Sequence, residues 1–304
     1  MRSLRLVLSV AAVLALGPHG AEAGSAQRPI VVELYTSQGC SSCPPADALL
    51  GRLAQRPNLI ALSLPITYWD MLGWKDTLAS DANTRRQKAY AAAMGHGGVY
   101  TPQIIVDGVI DVVGSRVANV DAAIAMRQAQ LAEAQAMVVA RGDAARYAAE
   151  AVRAQAVAAD AAQPVAARSA SALLPAPLPQ PPASPHTDPL VSVAMRQTLQ
   201  DLLIDIGAAP GARDATVWLF HLRSQVSVKI PSGENEGHTI VYHNVVGGLR
   251  AIGTYKGRAL AITVPRAAMA NLPHDGIAVV VQQGGYGHVI GAAYISRPDY
   301  YASQ

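Results

Sequence analysis

VELYTSQGCSSCPPAD, residues 32–47, joins an apolar, β-branched run to a helix start across two cysteines three positions apart. Upstream of the cysteines, Pro29 to Thr36 (PIVVELYT) has the short, continuous apolar pattern of a buried strand. Downstream, Pro44 to Gln55 reads as a helix beginning right after Cys43. Two prolines suit its first turn, where a missing N–H leaves no bond unmade. Leu59 to Ile66 (LIALSLPI) is a second buried strand, and Ser80 to Met94 a second helix with Ser80 as N-cap. Gln103–Val106 and Val109–Val113 form a hairpin across Asp107-Gly108, a type I′ signal. The order β-α-β-α-β-β-α predicts an α/β layer fold over residues 28–120.

The chemistry sits in Cys40-Ser41-Ser42-Cys43. A sulfur at a helix N-terminus faces unpaired N–H groups and the positive end of the helix dipole, and both favour thiolate over thiol. Cys40, further out, is the expected nucleophile. Cys43, one helical turn on, is the expected resolving thiol of a mixed disulfide. Thr101-Pro102 directly precedes the hairpin, where a cis peptide bond would leave the backbone of Thr101 free to pair with a substrate peptide; an ordinary trans turn is the alternative. Tyr68, Trp69, Asp70 and Trp74 form either a wall over the thiols or a packing cluster under a long loop. Arg85, Arg86 and Lys88 are expected on a solvated helix face. Ser41 and Ser42 are small polar fillers.

Cys-x-x-Cys after a first strand, with Thr-Pro-Gln-Ile-Ile-Val-Asp-Gly some sixty residues later, resembles the thioredoxin superfamily, and the second string is similar to glutaredoxins. VELYTSQGCSSCPPAD, TYWDMLGWKD, VYTPQIIVDG and PSGENEGHTIVYHNVV (Pro231 to Val246) together resemble the secreted bacterial proteins filed as domain of unknown function 1223. The likeness covers most of residues 30–120 and 190–295, and residues from about 130 to 188 look like an insertion. That family has no established reaction. The superfamily resemblance implies a thioredoxin-like N-terminal domain with Cys40 as nucleophile, Cys43 as resolving cysteine, Pro102 as the cis-proline and Thr101 as the residue before it. It also implies that Glu33, seven residues before Cys40, is a buried acid assisting deprotonation of Cys43. Pairing of Glu33 with an arginine at a strand edge is the other reading.

Residues 1–23 read as a secretory signal: Arg2 and Arg5, an apolar run from Leu6 to Leu16, and Ala21-Glu22-Ala23 as cleavage site. That predicts a periplasmic or secreted protein, where a thiol pair persists oxidised. No later segment is apolar over 18 residues, so no further membrane span is expected. The net charge of +3 falls to +2 once the leader, with two arginines and one glutamate, is removed. With no basic run, that argues against a nucleic-acid partner. Two cysteines in all exclude a disulfide scaffold or a four-cysteine zinc site.

After residue 120 the composition changes. Nineteen of residues 122–162 are alanine, which predicts a helical spacer over 121–163, broken at Gly142-Asp143. Seven prolines between Pro175 and Pro189 make residues 164–189 an extended linker. Residues 190–304 contain eight short apolar runs, among them Ala215–Leu222 and Val226–Ile230, separated by turn signals. They predict an all-β, sandwich-like C-terminal domain. No cofactor is indicated: Gly284-Gly285-Tyr286-Gly287 precedes no helix and reads as a turn. His238 and His243, five apart in one predicted strand, would face opposite ways, against a metal site. A soft metal on the cysteine pair lacks a nearby Met or His ligand.

The chemistry points to a thiol–disulfide oxidoreductase whose partner is a protein or small-molecule thiol or disulfide. The alternative is an envelope binding protein in which a static Cys40–Cys43 bridge braces the scaffold.

Overall fold

The computed structural model describes residues 28–161, 190–270 and 274–295. The predicted leader (1–23) and the proline-rich linker (164–189) lie outside the described residues. Strand β1 (Ile30–Thr36) leads through the cysteine loop into α1 (Pro44–Leu53), then β2 (Leu59–Pro65), α2 (Asp81–Ala93), β3 (Gln103–Val106), β4 (Ile110–Val113) and α3 (Val117–Ala161). The second half is β5 (Val193–Gln197), β6 (Asp201–Ile206), β7 (Ala215–Lys229), β8 (Thr239–Tyr255), β9 (Leu260–Pro265), β10 (Gly276–Gln283) and β11 (Val289–Ile295).

Eight of these strands make one mixed sheet in the order β11-β10-β7-β8-β2-β1-β3-β4. β1 and β2 are parallel, β3 runs antiparallel to β1 and β4 antiparallel to β3, and β8 joins the free edge of β2 in parallel at Ser63–Val245. The sheet thus runs without a break from the cysteine-bearing half into the C-terminal half. β5, β6 and β9 form a second, three-stranded sheet. Leu202, Ile204 and Ile206 of that small sheet share a core with Val217, Leu219, Val279 and Val281 of the large one, a local sandwich.

Alternation along β1 sorts its side chains between two cores. Val32 and Leu34 pack with Leu49, Leu50 and Leu53 of α1 and with Val120, Ile124 and Leu131 of α3. Val31 and Tyr35 face the other way, onto Tyr90 of α2 and onto Phe220, Leu222, Val246 and Val280 from the C-terminal half. Burial on both faces explains why β1 reads as a continuous apolar run rather than an alternating one. Ser80 caps α2, its hydroxyl accepting from the Asn83 N–H at 3.2 Å. Asp107 and Gly108 both have positive φ (51° and 75°), as a type I′ hairpin requires.

Three sequence expectations are corrected. α3 runs unbroken through Gly142-Asp143 for 45 residues. One glycine costs about 1 kcal/mol against alanine, and the alanine-rich flanks on both sides outweigh it. Nor is the start of α3 a spacer: Val120, Ala123, Ile124 and Leu131 are buried in the core, while Met137, Val138, Val139, Tyr147 and Val152 further on are exposed. Ala215–Leu222 and Val226–Ile230 belong to one long strand, β7, which pairs with β8 and carries the chain past the end of β10.

Arg86 is a further correction. It is 1 % exposed and not on a solvated face, whereas Arg85 and Lys88 on the same helix are exposed. Its Nε donates to Glu33 Oε2 at 2.6 Å, and its Nη2 donates to Glu33 Oε1 at 2.9 Å and to Gln282 Oε1 at 2.9 Å. Tyr90 and Tyr35 also donate to the Glu33 carboxylate, at 2.6 and 3.0 Å. The guanidinium lies about 5 Å from the ring centroids of Tyr90, Trp218 and Phe220. The cluster ties β1, α2, β7 and β10 together, and its charges are matched in place, as burial demands.

Candidate functional site

Cys40 and Cys43 form a disulfide, with Cα atoms 5.4 Å apart, at the N-terminal end of α1. Cys43 is the N-cap residue, and Pro44 and Pro45 occupy the first turn. The loop is held by its own backbone: Cys40 N–H donates to Ser37 C=O and Cys43 N–H to Cys40 C=O. Cys40 is 4 % exposed and Cys43 fully buried. The Ser42 hydroxyl lies 3.4 Å from Cys40 Sγ.

The Thr101–Pro102 peptide bond is cis. Gly114 shows how near Pro102 comes to the helix start: a Cβ at Gly114 would lie 3.1–3.3 Å from Leu34, Ala46 and Pro102 together. Trp69 links the same two segments. Its Nε1 donates to Thr101 Oγ1 at 2.7 Å, and its Cβ would be 3.3 Å from a Cβ on Gly39, beside Cys40. Trp74 donates to Gln38 Oε1 at 2.8 Å. The Asp76 carboxylate accepts the N–H groups of Gln38, Leu78 and Ala79. Both tryptophans therefore belong to the cysteine surroundings and brace the loop; Tyr68 instead bonds Gln87 on α2.

A loop from the other half of the chain closes over this arrangement. Residues 231–238 connect β7 to β8. Asn235, 5 % exposed, donates from Nδ2 to Gln38 C=O and to Cys40 C=O, both at 2.9 Å. Glu234 accepts the Ser41 N–H at 3.1 Å, and Ser232 donates to Gly73 C=O at 2.9 Å. Gly233 adopts a φ of +88° with Trp74 packed against it, a conformation strained for any residue with a Cβ. The sequence marks this segment as a turn, PSGENEG. Nothing local in it says where the turn docks, because the contacts span about two hundred positions.

Glu33 is not at the disulfide. It shares the face of Val31 and Tyr35, opposite the face of β1 that carries α1, and four donors engage its carboxylate. The expected helper of Cys43 is thus the arginine-paired carboxylate of the other reading, in the interior rather than at an edge. The acid that does lie beside Cys43 is Asp47, one helical turn along α1 and 2 % exposed. Its spacing, Cys-x-x-x-Asp at a helix start, was the available signal. His96 lies 3.6 Å from Asp111, whose carboxylate also accepts from Tyr100. His238 precedes β8 and His243 packs on Gly51 of α1. Among the described residues, no three His, Cys, Asp or Glu side chains converge as a metal-ligand group, and no helix is long and apolar enough to cross a membrane.

No curated protein matches the chain. An X-ray crystal structure of a protein from Agrobacterium tumefaciens is similar, with 27 % identity, a TM-score of 0.62 and coverage of 88 % of this chain and 94 % of that one. A structure of HBP35 of Porphyromonas gingivalis aligns at 9 % identity and a TM-score of 0.46, covering 89 % of this chain and 75 % of that one. The profile of the family described as "protein of unknown function (DUF1223)" matches residues 31–173 and 179–282, a span that takes in the cysteine loop, the cis-proline hairpin and the 231–238 loop alike. With most of its length so matched, the chain belongs to that family.

Proposed function

We propose that the protein is an extracytoplasmic thiol–disulfide oxidoreductase with a thioredoxin-like N-terminal half. The observation that carries this is a Cys40–Cys43 disulfide at the head of α1, with the cis-Pro102 hairpin packed against the same first turn. A parallel β1–β2 pair with the β3–β4 hairpin at its side, β3 antiparallel to β1, and helices on both faces supports the thioredoxin-like assignment. The leader-like residues 1–23 support an oxidising compartment.

In the reducing direction, an external thiolate attacks Cys40 Sγ. The Cys40–Cys43 bond breaks, a mixed disulfide forms on Cys40, and Cys43 leaves as the thiol or thiolate. A second external thiolate then displaces Cys40. In the forward direction, the Cys40 thiolate attacks a substrate disulfide and Cys43 releases the product. Pro44 and Pro45 carry no N–H, and those of Ala46 and Asp47 donate to Cys43 C=O, so the positive end of the α1 dipole is what stabilises the negative sulfur.

A specific observation favours a second reading. Cys40 is 4 % exposed beneath Asn235, so a bridge that never opens would serve a binding protein equally well. The test is electron transfer: the full chain is reduced with a small dithiol, freed of it, and mixed with a protein disulfide. The redox reading predicts transfer that Cys40→Ser abolishes. A bridge that resists the dithiol in the folded state establishes the second reading.

A further inference from the structure

We propose that a cavity at the end of the large sheet remote from the disulfide binds a small zwitterion of the amino-acid type, a free α-amino acid or a dipeptide.

β1 carries the cysteine loop at its C-terminal end, where Tyr35 pairs with Gln103, the first residue of β3. β3 runs back to the opposite end, where Asp107 C=O accepts the Val289 N–H at 3.1 Å and Gly108 packs on Gly287. The turn between β10 and β11, residues 283–288, therefore sits at that opposite end. It borders a cavity of about 500 Å³, within the range of about 300–1,000 Å³ usual for small-molecule sites.

The wall is preformed. Gln283 N–H donates to His288 C=O at 2.9 Å, Gly287 N–H to Gln283 C=O at 2.8 Å, and Trp218 Nε1 to Gly285 C=O at 3.1 Å. Gly284 and Gly285 both have positive φ (55° and 80°), a course that glycine takes without strain. Tyr286 lines the cavity and is held by Tyr90 and Trp218, with ring centroids 5.8 and 5.7 Å away. With Ala93 at the end of α2 it makes the apolar part of the lining.

The polar part has an unfilled place. Gln283 lines the cavity and is 3 % exposed. Its Oε1 accepts from Arg213 Nη2 at 3.0 Å, which fixes the way the amide is turned. That leaves Nε2 buried with no partner. A buried donor is costly to leave unpaired, and an acceptor brought by a ligand completes it. Arg213, also in the lining, sets the charge of that acceptor: a guanidinium beside an amide N–H suits a carboxylate. Asp214 lines the cavity too and is exposed. Its carboxylate disfavours a multiply charged anion and suits an ammonium. The negative end of the α2 dipole, at Ala93, favours a cation as well. His288 supplies a further polar edge. Carboxylate, ammonium and apolar side chain are thus each met, which is the pattern of an amino acid.

The test is calorimetric titration of the full chain with L-phenylalanine and with alanyl-phenylalanine. One of the two or both should bind saturably. Alanyl-phenylalanine amide, which lacks the carboxylate, and the N-acetylated forms, which lack the ammonium, should each bind at least about 10-fold more weakly, as loss of one charged hydrogen bond implies. Gln283→Leu and, at an exposed position, Arg213→Ala should each weaken the parent ligand by about as much. Asp214→Asn should narrow the gap between free and N-acetylated forms. No heat beyond dilution with either parent ligand overturns the proposal. So do equal affinities for free and blocked forms, or affinity unchanged in both Gln283→Leu and Arg213→Ala. Each result reads the same whether or not the Cys40–Cys43 bridge turns over, so this site and the redox reading stand or fall separately.

Discussion

At the scale of residues, the molecule separates its buried acids by what surrounds them. Glu33 is met by Arg86, Tyr35 and Tyr90 and is a structural anion. Asp47 is faced by the Thr36 hydroxyl and by a second carboxylate, Asp76, and burial pushes its carboxyl well above the ordinary range. Removing one partner of a buried ion pair leaves the other uncompensated, at a cost of about 3–5 kcal/mol. Arg86→Met is therefore expected to lower unfolding free energy by about that much in a urea titration. Arg86→Met with Glu33→Gln should cost clearly less than the sum of the two single changes. Additive losses would show that the two charges do not act on each other. Neither setting was readable from sequence. Glu33 and Asp47 are both carboxylates near Cys-x-x-Cys, and what divides them is the face of β1 in one case and the helix turn in the other.

At the scale of elements, the parts set by neighbouring residues were readable. β1, α1, β2, α2 and the β3–β4 hairpin follow from apolar runs closed by Pro44-Pro45, a Ser80 cap and an Asp107-Gly108 turn. The two failures arose where local signals are overruled. Gly142 is a weak breaker inside a strongly helical stretch, and the polar Arg223-Ser224-Gln225 interrupt the apolar run although Arg223 and Gln225 stay paired with β8. The 231–238 loop is the element that matters most for access and the least readable, since its docking is wholly non-local. Its grip on the cysteine loop is testable. Two neutral hydrogen bonds from Asn235 are worth about 1 kcal/mol each, so Asn235→Ala should raise the population of the open loop roughly 10- to 30-fold. The expected readout is a matching rise in the rate of bridge reduction by a bulky phosphine or a protein dithiol. An unchanged rate would mean that the loop does not limit access.

At the scale of the whole molecule, one sheet and its two faces join halves that differ in composition. Phe220, Leu222, Val246 and Val280 complete the core that Val31, Ile60 and Tyr90 begin, so the site is folded only when both halves are. His221 in β7 is buried, edge-on to His274 at 5.0 Å, with its Nδ1 unpartnered. Burial first, then His274 and Arg250, lowers its pKa from 6.5 to about 4. Between those values the unfolded chain binds more protons than the folded one. Its contribution to stability is thus complete above about pH 6.5 and is lost as pH falls toward 4. His221→Gln should flatten that part of the curve of unfolding free energy against pH. An unchanged slope would place the acid sensitivity elsewhere.

The account as a whole depends on the Cys40–Cys43 bond being made and broken in the folded protein. Equilibrium of the full chain with graded oxidised and reduced glutathione, read by alkylation of free thiols, gives its reduction potential. The account predicts reversible titration at a potential above about −300 mV, among the labile and catalytic disulfides. A bond still intact at the reducing limit of the series, or opened only when the chain unfolds, would contradict it.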